Sequence, residues 1–438
     1  MLPQAGKRET YMGPTTLFDK SFLQSLSVDE SVWFAHFFYP VICPLFYVET
    51  LADLEKAVRE GRTPEQEVGI IAAKFPETSA APCPHHMSLA LSDLLGSPVP
   101  MTGQVPRDGG RTAEVEGKRA VVYDRSQTEI AFSRWQEGKF LQIERENARR
   151  WRAGLQQADL KEIAERLKAA GIGATNCGSL DHAYALARGM VERTEKPWER
   201  IALAVAILDL PADYRHHVIE RWNIQGKKSL ADFAPYAAHV IACDLFFRFA
   251  LAGGHIETSR PSNRVDIAYL NYLPFANIFV SSDKLHRRTA PQFLDPKQRF
   301  VWGPDLKADL ARINTHFSEF PEEVKTRGIM AFAHAPPKRE GSLVRELRAQ
   351  FMGATYDDRT PIVPRHDEQE AQIVEEVNRF VDSAPVPEGR VPMGSAPFPQ
   401  SGVPIAGDEE MESVVIRRTV RRKRGSWWQI AKDLETKK

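Results

Sequence analysis

Asp19, Glu49, Asp266 and Asp283 each fall at the end of an apolar, strand-like run or on a helix that flanks one. Thr15-Thr16-Leu17-Phe18 is a β-prone run that closes on Asp19, with Ser21 two residues on. Residues 42–48 form a second apolar run, after which the period changes from strand to helix, so Glu49 is expected in the first helical turn. Asp266 opens a segment in which Ile267, Leu270 and Leu273 recur at helical spacing. Pro274 breaks that segment, and residues 278–280 then form a strand that runs through Ser281 and Ser282 into Asp283.

Acids at such places have a chemistry available, because open α/β sheets bind ligands outside the carboxyl ends of parallel strands. Carboxylates gathered there repel. At about 4 Å a pair costs on the order of 1 kcal/mol in water and roughly 4 kcal/mol at an effective dielectric near 20. Mg2+ or Mn2+ reverses this, since both take oxygen ligands, and such an ion activates water for in-line displacement at a phosphodiester. Asp19 and Asp283 are expected as direct ligands, and Glu49 and Asp266 as acids working through water. Ser21 and Ser282 are expected as hydrogen-bond partners of those ligands. For any single acid the plainer role is a turn former or helix N-cap, and Glu49 alone would complement a helix N-terminus. The metal reading rests on all four in order. Asp53, one turn after Glu49, is a substitute or fifth acid, whereas Asp244 reads as a structural carboxylate in an apolar helix.

The ordered set resembles a PIN-like nuclease domain: a first strand closed by an acid with a small hydroxyl residue two places on, then a Glu opening a helix. Further along come a helix carrying Asp and a strand closing on Ser281-Ser282-Asp283. The likeness covers residues 15–56 and 264–285. It implies a PIN-like parallel sheet flanked by helices and a metal-dependent endonuclease acting mostly on RNA, sometimes on structured DNA. Mg2+ or Mn2+ would be held by Asp19, Glu49, Asp266 and Asp283. The chain departs from the family pattern in one respect: about two hundred residues separate Glu49 from Asp266. A non-catalytic nucleic-acid-binding or partner-binding protein that keeps the fold is the alternative. A phosphotransferase using Asp19 as nucleophile is disfavoured, because Ser21 cannot protonate a leaving group as an acid would.

The elements that must carry these acids can be outlined from the rest of the chain. The 438 residues have room for two or three domains. Two halves of the α/β domain, residues 1–80 and 256–345, would enclose a mainly helical insert at 81–255. Short helices at 346–382, a disordered Pro/Gly-rich linker at 383–410 and a basic aromatic tail at 411–438 would follow. Helices are expected at 86–95, 128–170, 181–194, 198–208, 215–222, 230–252, 305–317, 345–351 and 369–381. Residues 121–123 read as an edge strand.

Lys+Arg and Asp+Glu balance at 58 each, so phosphate attraction must come from local patches. Lys284, Arg287 and Arg288 lie beside the acids, Arg149 and Arg150 lie in a cation-rich helix with Trp151, and the tail carries Arg417, Arg418, residues 421–424 and two tryptophans. The tail is equally suited to a protein partner. Cys43, Cys83, Cys177 and Cys243 are isolated from one another, which suggests a reducing, cytoplasmic setting. Cys83 with His85 and His86 makes a poor zinc site, lacking a second pair of soft ligands. The first residues hold no apolar signal-peptide core, and residues 237–252 are interrupted by Asp244 and Arg248, so no membrane partner is expected.

Overall fold

A computed structural model of the chain describes residues 13–56, 61–76, 81–106, 110–358, 375–376, 378–385, 411–416 and 422–432. Its centre is a parallel sheet of β1 (Thr15–Phe18), β2 (Tyr39–Ile42), β3 (Ala81–Pro82), β4 (Ile278–Ser281) and β5 (Arg299–Trp302), in the spatial order β3-β2-β1-β4-β5. Four strands have four residues, and β3 adds two at one edge. Leu17, Phe18, Val41, Ile42, Phe279 and Val280 are all buried, so the central strands are apolar on both faces. A parallel sheet covered by helices on both sides requires that pattern.

The chain winds from β1 outward to β2 and β3, leaves the sheet, and returns on the other side of β1 as β4. β1 and β4 pair directly, with Leu17 opposite Phe279 and Phe18 opposite Val280. The reversal of winding therefore lies between the strands that end at Asp19 and Asp283, the kind of crevice where ligands bind in doubly wound sheets.

Local chemistry sets the flanking helices. Asp19 caps α1 (Lys20–Ser25), Ser27 and Glu30 form a capping box at the start of α2 (Val28–Phe37), and Pro44 occupies the first turn of α3 (Pro44–Leu51). The last of these corrects the expected boundary: the strand ends at Ile42, and residues 44–48 are already helical. Proline fixes φ and lacks an N–H, so it starts a helix more readily than it continues a strand. Glu49 accordingly sits in the last turns of α3 rather than the first.

The helical region forms no separate body. One hydrophobic core runs from Leu17 through Trp135, Val191 and Phe246 to Trp427. At its heart is α4 (Pro235–Ala252), packed against helices His86–Leu95, Leu160–Ala169 and Leu180–Glu192. This helix is long and apolar enough to cross a membrane by length and composition alone, and it is mostly buried inside the protein. The expected helix 128–170 is three, Gln127–Gln136, Gln142–Gln157 and Leu160–Ala169. The expected helix 230–252 is divided at Ala234, before Pro235. Residues 121–123 belong to Lys118–Tyr123, which is the middle strand of a separate three-stranded sheet between Arg111–Val115 and Met411–Ile416, not an edge.

Completing the site end of the main sheet are α5 (Asn263–Ala268), a 3-10 helix Tyr269–Phe275, α6 (Lys284–Thr289) and α7 (Gly303–Ser318). Most of the expected helix 369–381, and of the expected linker at 383–410, lies outside the described residues.

Candidate functional site

Asp19 leaves the tip of β1 with its carboxylate 3 % exposed. Oδ1 accepts the Phe22 N–H at 2.9 Å and caps α1. Oδ2 accepts hydrogen bonds from Ser21 Oγ at 2.6 Å and Ser281 Oγ at 2.8 Å. Ser281, the last residue of β4, also accepts the Asp283 N–H at 2.9 Å, so the two strand tips are joined through one hydroxyl. Asp283 in turn caps α6, its Oδ1 accepting the Leu285 N–H at 2.6 Å. Each of these acids is thus a helix N-cap, and each also belongs to a shared polar cluster at the carboxyl edge of the sheet.

The fully buried imidazole of His286 completes the cluster. Nδ1 lies 2.8 Å from Ser281 Oγ and 3.3 Å from Asp19 Oδ2, while Nε2 lies 2.6 Å from the Asp266 carbonyl oxygen. With acceptors at both ring nitrogens, the doubly protonated form is the one that satisfies the site. Burial disfavours that charge, but the hydrogen bond and charge of Asp19, then those of Asp266, overcome it and raise the pKa to about 9. Burial likewise opposes ionisation of Asp19, yet His286, Ser21 and the Phe22 N–H together hold its pKa below the ordinary carboxylate value.

Glu49 and Asp266 sit in the opposite condition. Desolvation, with Asp266 and Asp19, outweighs Lys20 and a 2.5 Å hydrogen bond from Tyr269 Oη, and the net effect raises Glu49 to about 7. Desolvation raises Asp266 to about 6, with Asp283 and Asp19 adding to the rise against His286 and Arg260. The four acids therefore feel one another, and two are kept close to neutrality. Asp53 does not join them: it is buried in ion pairs with Lys20 at 2.6 Å and Arg152 at 3.5 Å. Asp244 pairs with Arg248 on α4.

Two expected roles change hands. Ser282 does not bond the acids through its hydroxyl. Its N–H donates to Ser21 Oγ at 3.2 Å, and its buried Oγ has no partner among the described residues. Ser281, rather than Ser282, joins Ser21 in holding Asp19. His286, in the same run as Lys284, Arg287 and Arg288, points inward. Serine and histidine carry no local sign of such a role, because their partners lie some 260 residues away in sequence.

Backbone geometry fixes how closely the elements meet here. A Cβ on Gly303, at the start of α7, would stand 2.2 Å from Ser282 Oγ. Only glycine allows α7 to approach the tip of β4 this closely.

The acids suit a hard cation in donor type and charge, since their mutual repulsion is the state a divalent ion relieves. As they stand, however, no three histidine, cysteine, aspartate or glutamate side chains among the described residues are grouped to hold one ion. Asp19 spends both oxygens on neighbours, whereas Asp283 spends only Oδ1.

Of the expected phosphate contacts, Lys284 is exposed at the start of α6, Arg287 lies 5.0 Å over the Trp302 ring, and Arg288 donates to the His255 carbonyl. Arg149 pairs with Glu55 at 3.3 Å and Arg150 with Glu146 at 3.8 Å, while Arg145 reaches Glu65 at 2.6 Å. These pairs are exposed, and the side chains of Arg149 and Arg150 stay 59 % and 74 % open to solvent. The tail differs from its expected form as well. Trp427 is 2 % exposed and stacks edge-on against Trp33, Arg424 bonds Ser31 and the Ala73 carbonyl, and the Ser426 N–H donates to Asp29. Arg417, Arg418 and Arg421 lie outside the described residues. Cys43, Cys83, Cys177 and Cys243 are buried and unpaired.

Compared with models of protein families, with curated proteins and with solved structures, the chain matches none.

Proposed function

We infer that the chain is a divalent-metal-dependent hydrolase of phosphodiester bonds, an endonuclease of PIN-like type that favours RNA over DNA. One observation carries this reading. Asp19 and Asp283 end adjacent parallel strands at the reversal of the sheet's winding and are joined through Ser281 Oγ, with Glu49 and Asp266 within electrostatic range. An all-parallel sheet with its first strand central supports the resemblance drawn from the acids alone.

In this account Asp19, Asp283, Glu49 and Asp266 would hold Mg2+ or Mn2+, directly or through water. A bound ion would supply charge neutralisation and a more acidic water. Glu49, buried and oriented at the edge of the cluster, would take a proton from water, whose oxygen would form the new bond to phosphorus as the bond to the leaving oxygen breaks and that oxygen takes up a proton from solvent. Tyr269 orients Glu49, and His286 and Ser281 fix Asp19. Lys284 and Arg287 stand at the edge where a phosphate backbone would pass.

The second reading is a non-catalytic nucleic-acid-binding or partner-binding domain. What favours it is that His286 already supplies a cation to Asp19 and that the described acids do not converge on a point. The two readings separate in a cleavage assay on a mixed-sequence RNA with Mn2+. The hydrolase reading expects cleavage by the wild type, abolished by EDTA and by Asp19→Asn in a folded variant. Absence of cleavage by the wild type, or cleavage that survives both, would overturn it.

A further inference from the structure

Residues 422–432 hold four cations and no acid. They form an antiparallel hairpin in which Arg424 pairs with Trp427 and Lys423 with Trp428, across Gly425 and Ser426. Cross-strand partners share a face, and neighbours along a strand alternate, so the two pairs face opposite ways. Arg424 and Trp427 turn inward and are buried, Arg424 on Ser31 and the Ala73 carbonyl, Trp427 on Trp33. Lys423 is exposed and Trp428 half-buried on the other face. The turn is fixed to α2: the Ser426 N–H donates to Asp29 Oδ1 at 2.8 Å, and a Cβ on Gly425, whose φ is +56°, would stand 2.1 Å from that oxygen. The outward face is thus carried by a segment anchored in the core.

Three cations gather there on one indole. The Arg422 guanidinium carbon lies 5.6 Å from the Trp428 ring centroid, Lys423 Nζ 5.3 Å and Lys432 Nζ 5.8 Å. All three residues are exposed, and none forms an ion pair with a described residue. Glu322 lies within electrostatic range of Lys423 and Lys432 but pairs with a further cation, Lys325, at 2.7 Å. In a chain whose 58 cations and 58 acids balance, such an acid-free cluster is where positive potential collects. The indole attracts the cations without cancelling their charge. They repel one another, and a run of phosphates relieves that repulsion at all three. An aromatic ring set among unpaired cations is the combination that tracks single-stranded nucleic acid, which favours it over an acidic peptide.

We propose that Arg422, Lys423 and Lys432, arrayed round Trp428, form a docking surface for the phosphate backbone of single-stranded nucleic acid. That the polyanion is a nucleic acid rests on the hydrolase reading; the convergence of unpaired cations does not. Trp427 bonds Asn314, which lies about 16 Å along α7 from Gly303, the residue packed on Ser282 at the acid edge. The surface is therefore a holding site set apart from the acids.

The test is fluorescence anisotropy with a short labelled RNA of mixed sequence, on the full chain in EDTA so that no strand is cut. The wild type should bind with an affinity that falls as salt rises. Arg422→Gln/Lys423→Gln/Lys432→Gln should bind at least about tenfold more weakly. It should also flatten the slope of log affinity against log salt by about 2, since each contact on a single strand contributes roughly 0.7. Lys161→Gln/Arg166→Gln/Lys168→Gln, on the helix Leu160–Ala169, changes the net charge equally and should bind nearly as tightly as the wild type. All six side chains are exposed, so both variants should fold; if the first does not, Lys432→Glu alone should still weaken binding. Neither poly-glutamate nor vesicles rich in phosphatidylserine should displace the labelled RNA as well as unlabelled RNA does. No binding by the wild type, undiminished binding by the first variant, an equal loss in the control, or displacement by either competitor as effective as by RNA would overturn the proposal. Binding lost in the first variant without cleavage by the wild type would reject the hydrolase and keep the surface. Cleavage by the wild type with undiminished binding by the first variant would do the reverse.

Discussion

His286 Nδ1 stands 3.3 Å from Asp19 Oδ2, and neither side chain is open to water. Asp19 closes β1 and His286 lies in α6, which follows β4, and Ser281 bridges them with bonds of 2.8 Å to each. A buried ion pair of this kind adds little net stability as a pair, but removing one partner strands a charge.

His286→Leu should therefore destabilise the metal-free protein by about 3–5 kcal/mol. Asp19→Asn in the same background should recover much of that loss, giving a clear coupling energy in a double-mutant cycle. Chemical denaturation of the four proteins measures it. Additive losses would mean that the two side chains do not interact as described.

Two buried histidines outside the site predict an acid response. Desolvation, in each case the largest cause, lowers His36 and His239 to about 4, and each meets a backbone carbonyl, of Ala333 and Leu270. A depressed folded pKa contributes stability that is present above the unfolded value near 6.5 and lost as pH falls toward 4. Each group is worth roughly 3 kcal/mol across that window. Melting temperatures measured from pH 7.5 to 4 should fall less steeply for His239→Gln than for the wild type. Parallel curves would remove His239 from the account.

The C-terminal segment is part of the core rather than a free arm. Trp33 and Trp427 both donate their indole N–H to Asn314 Oδ1, at 2.9 and 2.8 Å. Trp427→Ala should cost about 3–5 kcal/mol, and truncation before residue 422 should cost at least as much. Unchanged thermal stability on truncation would show that the segment does not dock.

Gly303→Ala should be costly out of proportion to one methyl group, about 1–3 kcal/mol, because the new carbon meets Ser282 Oγ and the Phe22 ring. Denaturant melts should show that loss, while Gly154→Ala, where nothing lies within 4 Å of the added carbon, should be neutral or mildly stabilising.

Reading the chain alone located Asp19 and Asp283 at strand tips, because a short β-prone run that closes on an aspartate is a local signal. It placed Glu49 wrongly, since residues 42–48 are apolar throughout and carry no period; only Pro44 marks the turn from strand to helix. The roles of Ser281 and His286 were invisible for a different reason. Whether a histidine beside two arginines faces solvent or a buried carboxylate depends on a partner brought from the other end of the domain. Trp427 was misread similarly, because basic neighbours suggested exposure while its partners, Trp33 and Asn314, are distant in sequence.

The central claim is that the four acids hold a divalent ion, and calorimetric titration of the metal-free protein with Mn2+ tests it most directly. The account predicts saturable binding by the wild type, lost in Asp19→Asn/Asp283→Asn while circular dichroism shows the fold intact. No saturable uptake by the wild type, or equal uptake by the double variant, would contradict it.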